Sequence, residues 1–320
     1  MSEETEIRLE NIEAARERIK DATLETPCVY SESLSRELNC NLYFKAESLQ
    51  HIGAFKARGA LNAVRCLSES EAQRGVVTHS SGNHAAALAR AAKLCDIQAY
   101  VVMPHNSAKT KIEAVRKLGV EPVFCEPGTS AREEKAAEVQ AATGATLVHP
   151  FNNPHVMAGQ GTVGLEILEQ IPNVETVIAP IGGGGLLSGL SMAIASKRPE
   201  VELFGGEPEW ADDAYRSFQS GSIQAPTRFD TVADGLRTTV GELTFPIIRQ
   251  LVREIILVSE QQILSAMRSI AERVKLVTEP SGAVAFAALC REAERFRGRT
   301  VVVVISGGNL DMGACSLGHP

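Results

Sequence analysis

Short apolar runs alternate with stretches of helical spacing along most of the chain. VVTH (76–79), AYVVM (99–103), PVFC (122–125) and TLVH (146–149) are short and rich in β-branched residues. AAALARAAKL (85–94) and KTKIEAVRKL (109–118) repeat apolar positions at helical spacing, and Ser130 with Glu133 forms a capping box for a helix through Ala142. Four strands alternating with three helices predict a small parallel sheet covered on both faces. A second series follows. A helix spans 155–171, TVIAPI (176–181) is a strand, and a helix runs from the following glycines to Lys197. VELFGG (201–206) and EIILVS (253–258) are strands, and Ser259 with Gln262 caps the helix after them. Pro280 suits the first turn of a helix to about Arg297, and TVVVVI (300–305) reads as the centre of a parallel sheet. An opening helix covers 7–20. The fold class is therefore α/β with two open parallel-sheet domains: a small one over 75–152, and a large one built from 1–74 and 153–320.

Ligands of open α/β sheets bind beyond the carboxyl ends of strands. HSSGNHA, GGGGLLSG, GGEPEWADD and SGGNLD all follow strands, so their chemistry converges in a cleft. Gly182, Gly183, Gly184 and Gly185 lie at a strand-to-helix junction, where backbone N–H groups and the helix terminus attract a phosphate. The dinucleotide pattern GxGxxG fails at Ser188, and no GxxxxGK[ST] occurs. A nicotinamide-dependent oxidoreductase is disfavoured accordingly. Lys56 lies between Phe55 and the small residues Ala57, Gly59 and Ala60. An enclosed lysine beside a phosphate cradle suggests pyridoxal phosphate held as a Schiff base, because a desolvated amine loses its proton more readily. From the residues alone, a ligand-free turn and a helix-entry lysine remain open.

Net charge is −7, which argues against nucleic acid as a partner. The longest aliphatic run, Val301 to Ile305, is too short to span a bilayer. The acidic N-terminus lacks a secretory layout, and seven scattered cysteines without a CxxC pair suit the reducing cytoplasm. The Pro/Gly/Thr-rich stretch 220–242 is a candidate active-site loop.

Ordered motifs carry a resemblance over nearly the whole chain. GAFKARGALNAV (53–64), HSSGNHAAALA (79–89), HPFNNPHVMAGQGT (149–162), GGGGLLSG (182–189), EPEWADD (207–213), VADG (232–235) and SGGN (306–309) resemble, in order, the fold-type II (tryptophan synthase β-like) pyridoxal phosphate enzymes. The specific likeness is to the serine racemase and serine/threonine dehydratase group. It implies that Lys56 anchors the cofactor and moves the substrate Cα proton, that Phe55 packs beside the cofactor, and that Asn83 bonds its ring hydroxyl. Gly182 to Gly185 and Leu186 would hold the phosphate, and Ser306 would face the pyridine nitrogen. A hydroxyl there leaves the ring nitrogen largely neutral, which favours elimination or reprotonation over transamination. Ser80, Ser81, Asn83 and His84 would receive the substrate carboxylate, with Arg132 on the closing small domain and Thr238 in the substrate loop. Lys56 and Ser81 would serve the two faces of the reacting carbon; many threonine dehydratases read SAGNH where this chain has serine. Glu207, Asp213 and the Ala211 carbonyl match a divalent-cation site for Mg²⁺, Ca²⁺ or Mn²⁺.

The expected reaction is β-elimination of L-serine and L-threonine to 2-oxo acid and ammonia, with serine racemisation beside it, in a cytoplasmic homodimer acting on small amino acids. Rivals are a 3-hydroxyaspartate dehydratase, with Arg132 or Arg237 serving the extra carboxylate, and a non-catalytic cofactor-binding regulator. Ile52 and Ala54 depart from the usual Thr and Ser, and Asn152 and Asn153 stand where many relatives have acids. The chain ends at Pro320 without a regulatory domain, so feedback inhibition is not expected.

Overall fold

The computed structural model describes residues 7–80 and 82–311. Ten strands form two sheets: β1 Cys28–Tyr30, β2 Asn41–Ala46, β3 Val76–His79, β4 Ala99–Pro104, β5 Val123–Cys125, β6 Thr146–Leu147, β7 Thr176–Pro180, β8 Glu202–Pro208, β9 Glu254–Val258 and β10 Thr300–Ile305. The smaller sheet has the order β5-β4-β3-β6 and is wholly parallel. The larger has the order β1-β2-β10-β7-β8-β9. One correction applies to the all-parallel expectation: β1 runs antiparallel to β2 at the edge, because both come from one short connected segment.

The TVVVVI strand shows why this sequence builds a two-faced sheet. All six residues of β10 are buried, in register with β2 on one side and β7 on the other. Side chains of a strand alternate between faces. Val301, Val303 and Ile305 accordingly join the core that contains Phe44, Phe204 and Phe286. Val302 and Val304 join the opposite core with Val177, Leu187 and Ile255. Helix Pro280–Arg291 covers the first face, and Gly185–Lys197 packs with Pro154–Gln170 on the second.

Three further expectations need correction. The helix expected to be capped by Ser130 starts at Thr129 with Gly128 as its N-cap, so Ser130 is already inside the first turn and caps nothing. The Pro280 helix ends at Arg291; the chain then tightens into the short 3₁₀ turn Ala293–Phe296, which buries Phe296. Strand β6 closes at Leu147, since His149 and Pro150 leave the sheet for the cleft. The capping box of Ser259 and Gln262 forms as read.

Candidate active site

A cleft of about 630 Å³ opens beyond the carboxyl ends of β3, β7 and β10. Phe55, Lys56, Ser80, Asn83, His84, Arg132, Gly182 to Gly185, Leu186, Thr238 and Ser306 all line it. Ser81 lies outside the described residues.

The segment before Lys56 is clamped to the segment after β10. Phe55 N–H donates to the Ser306 carbonyl at 3.1 Å, and Gly308 N–H donates to the Gly53 carbonyl at 2.9 Å. The Asn309 amide donates to the Ile52 carbonyl at 2.7 Å. Ile52, one of the departures, has φ +57°, a left-handed conformation that costs a β-branched residue about 1–2 kcal/mol. These bonds hold it there and fix the entry to helix Lys56–Arg65. Lys56 Nζ, reached from the cleft but surrounded by protein, donates to the Pro150 carbonyl at 2.7 Å. Desolvation lowers its pKa to about 8. About a quarter of such an amine is unprotonated at pH 7.5, against roughly 0.1% for an ordinary lysine.

The glycine turn lines the same cleft as that amine. Gly184 has φ +86°, and a Cβ on Gly183 would fall 2.3 Å from the Phe151 ring, so both positions need glycine. The Gly183 carbonyl is occupied by the Thr244 hydroxyl at 2.7 Å and Gly241 N–H at 3.2 Å. What the turn offers a ligand is therefore the first N–H groups of helix Gly185–Lys197, which have no intrahelical acceptor. That arrangement suits a phosphate.

Three histidines also line the cleft. His84 Nε2 lies 3.0 Å from the Val148 carbonyl, and its buried Nδ1 has no partner among the described residues. Burial, with Lys56 close by, holds its pKa well below the ordinary value, so the ring is neutral and Nδ1 is an acceptor. His149 Nδ1 accepts from Asn152 N–H at 3.0 Å, and its ring meets those of His79 at 5.2 Å and Phe151 at 4.6 Å. Burial takes His149 to about 3, helped by His79 and Lys56, and His79 to about 4, helped by Arg132. Ser306 is buried, while the Thr238 hydroxyl is enclosed without a partner among the described residues. Asn152 Oδ1 accepts from Leu243 N–H at 2.8 Å, and Asn153 caps helix Pro154–Gln170 through Val156 N–H at 3.0 Å. The two asparagine departures thus tie down the strap carrying His149 and Phe151.

Sequence reasoning missed His79, His149 and Phe151, although all three sit at or just past the ends of VVTH and TLVH. It also missed Glu279, which lines the cleft just before Pro280. Its carboxylate does not cap its own helix and instead accepts from the Asn83 amide at 2.7 Å. Across the mouth, Lys111 pairs with Asp234.

Glu207 and Asp213 lie apart from the cleft lining, between the end of β8 and helix Asp213–Ser220. Both are fully buried. Glu207 accepts from the N–H groups of Ala214 at 2.9 Å and Tyr215 at 2.7 Å. Asp213 Oδ2 accepts from Val240 N–H at 2.7 Å, and its buried Oδ1 has no partner among the described residues. Desolvation pushes Asp213 up to about 7; desolvation and then Asp213 push Glu207 well above the carboxylate range. Two buried carboxylates with an orphaned oxygen fit a cation held also by carbonyls and water. Among the described residues no cluster of three His, Cys, Asp or Glu side chains could hold a metal alone.

The family described as pyridoxal-phosphate dependent enzyme matches residues 19–307. A beta-hydroxyaspartate dehydratase of Paracoccus denitrificans is 45% identical over 95% of this chain and 96% of its own. A serine racemase of Arabidopsis thaliana is 43% identical over 95% of this chain and 93% of its own. The structure of maize serine racemase superposes with a TM-score of 0.93 at 40% identity, over 96% of this chain and 95% of the other.

Proposed function

Because this chain belongs to the pyridoxal-phosphate dependent enzyme family, we propose that it eliminates the β-hydroxyl of small β-hydroxy amino acids, giving 2-oxo acid and ammonia, and that it also racemises serine. The observation that carries the reading is the pairing of one desolvated amine, Lys56, with a glycine-built anion cradle in a single cleft. When bound, pyridoxal phosphate supplies the electron sink for negative charge at the substrate Cα. Gly182 to Gly185 and Leu186 would hold its phosphate, Phe55 would pack beside it, and Ser306 would face its pyridine nitrogen. Lys56 would anchor its aldehyde carbon and carry the Cα proton. Ser80, Asn83 and His84, at the start of helix Asn83–Leu94, receive the substrate carboxylate, where N–H groups and the helix terminus favour an anion. His84 serves there through its backbone N–H in the first turn, since its ring N–H is spent on the Val148 carbonyl; the neutral ring does not repel Lys56. Thr238 contacts the substrate from the 220–242 loop, and residues 75–152 close over it. The non-catalytic rival is set aside: the relatives that match over almost the whole chain are enzymes.

A second reading, a 3-hydroxyaspartate dehydratase, is favoured by Arg132 in the cleft wall and by the Paracoccus relative. The test is incubation with L-serine, L-threonine and the 3-hydroxyaspartate isomers, scoring keto acid and chirality. Turnover of serine or threonine supports the first reading. Turnover of 3-hydroxyaspartate alone replaces it with the second. Within the same experiment, Ser81→Ala is expected to lose D-serine formation at least ~10-fold while keeping most L-serine elimination, as general acid–base assistance on one face would require. Equal loss of both would remove Ser81 from the second face.

We extend the proposal to a divalent cation, Mg²⁺, Ca²⁺ or Mn²⁺, at Glu207, Asp213 and the Ala211 carbonyl. A cation binding only the folded state at 100 times its Kd adds about 2.7 kcal/mol. A chelator is thus expected to lower Tm by several degrees and Mg²⁺ to restore it, with Glu207→Gln insensitive to both. A wild-type Tm indifferent to chelator and metal would remove the cation. The six described cysteines are free thiols, which supports a cytoplasmic setting, and no helix among the described residues is long and apolar enough to cross a membrane. Homodimeric assembly, implied by the resemblance, belongs to the same proposal.

A further inference from the structure

Asn83 is wired at both ends of its amide. Its Nδ2 donates to Glu279 Oε1 at 2.7 Å, and its Oδ1 accepts from Asn309 Nδ2 at 2.8 Å. Asn309 Nδ2 also donates to the Ile52 carbonyl at 2.7 Å, so that amide is oriented too. A flipped Asn83 would set its oxygen against a carboxylate and its NH₂ against another NH₂. The pair therefore selects one orientation, and only one N–H of Asn83 Nδ2 stays uncommitted. Asn83, Glu279 and Ser306 all line the cleft.

The surroundings are built for this contact. Glu279 is buried, and its backbone N–H donates to the Gly307 carbonyl at 3.1 Å. A Cβ on Gly307 would lie 2.4 Å from Glu279 Oε1 and 3.2 Å from Asn83 Nδ2, so this glycine makes room for the junction. Desolvation and then nearby Asp234 raise the Glu279 carboxyl to about 7; protonated or not, Oε1 can accept from Asn83. Among the described residues no cation forms an ion pair with this carboxyl, so its burial is offset by hydrogen bonds such as the one from Asn83 and by neutralisation.

We infer that Glu279 and Asn309 are positioning residues that lock Asn83 as a hydrogen-bond donor toward the ring oxygen of the bound cofactor. This rests on the pyridoxal phosphate reading above. With the amide locked, the remaining N–H stabilises the deprotonated ring oxygen, and the cofactor keeps its long-wavelength absorption. With the amide free to rotate, that donor is lost part of the time and the neutral ring form gains.

The experiment reconstitutes wild type, Glu279→Ala, Glu279→Gln and Asn309→Ala with pyridoxal phosphate, recording the absorption spectrum and the apparent Kd of the cofactor. Glu279→Ala is expected to shift absorbance from the long- to the short-wavelength band and raise Kd about 10-fold, the scale of one hydrogen bond to a charged group. Glu279→Gln, which can still accept from Asn83, is expected within about 3-fold of wild type, and Asn309→Ala between the two. A wild-type spectrum and Kd in Glu279→Ala overturns the inference. So does a Gln variant as impaired as the Ala variant beside an unaffected Asn309→Ala, because charge and not orientation would then be the cause. If Glu279→Ala does not fold, Asn309→Ala decides: a band shift supports the lock and an unchanged spectrum overturns it. A wild-type protein without any cofactor band would instead remove the underlying reading.

Discussion

Lys56→Ala is expected to lower turnover at least ~10⁴-fold on every accepted substrate, because it removes both the covalent anchor and the proton carrier on one face. The glycine turn is untouched by this change, so the variant should still bind pyridoxal phosphate, reversibly. Borohydride followed by peptide mapping should fix the cofactor to Lys56 in wild type and to nothing in the variant. A label on another lysine would transfer the chemistry elsewhere. The lowered pKa adds a pH signature. Burial disfavours the charged amine, so the free base is populated above about 8 instead of above 10. The rate at which apo-protein captures the cofactor should rise about 10-fold per pH unit up to that value and then level off. Folding is linked in the same sense: between about 8 and the ordinary lysine value the unfolded chain holds the proton and the folded one does not, so stability from this group grows as pH rises through that window.

The main features of the fold were legible where one physical cause dominates. Strands β3 and β10 fall where VVTH and TVVVVI place them, because buried parallel strands need continuous apolar runs. The glycine turn was legible because four successive glycines are hard to explain otherwise. What stayed hidden depends on partners distant in sequence. Ser130 with Glu133 satisfies the capping pattern, yet Gly128 begins the helix earlier. Glu279 reads locally as an acid before a helix, and only a contact 196 residues away gives it a partner in Asn83. Asn152 and Asn153 show in the sequence only as departures from acids; that they tie a loop depends on Val156 N–H and on Leu243 N–H, 91 residues from Asn152. Arg58 lies inside the lysine motif itself, and nothing in AFKARGA shows that it is buried.

Arg58→Ala is expected to destabilise the protein by about 3–5 kcal/mol, the cost of breaking a buried ion pair by removing one partner. Arg58 is 1% exposed, two residues beyond Lys56 on the same helix. It grips Glu47 through Nε and Nη2, both at 2.8 Å, and Glu166 through Nη1 and, at 2.8 Å, Nη2. Lys45, also fully buried, donates to Glu166 at 2.6 Å. Two cations and two carboxylates therefore neutralise each other beneath the helix that presents Lys56. Without Arg58, one ammonium faces two carboxylates away from water. Lysine lacks the planar five-donor fork that gives each acid two hydrogen bonds, so Arg58→Lys should recover only part of the loss. Urea unfolding would measure both variants; a loss below about 1 kcal/mol for alanine would show that the carboxylates find water or other partners. The acid limb supplies an independent check. Burial would raise the Glu47 carboxyl, but Arg58 and Lys45 outweigh it and hold the folded-state value below the ordinary one. The contribution is thus complete above the unfolded carboxylate value and lost as pH falls through the lowered folded one. The stability gap between wild type and Arg58→Ala should narrow there, because protonation removes the charge that the arginine was compensating. Since the same helix begins at Lys56, the Lys variant, if folded, should also turn over more slowly: an amine displaced by even 1 Å loses its alignment with the carbon it serves, a loss on the order of 10²-fold.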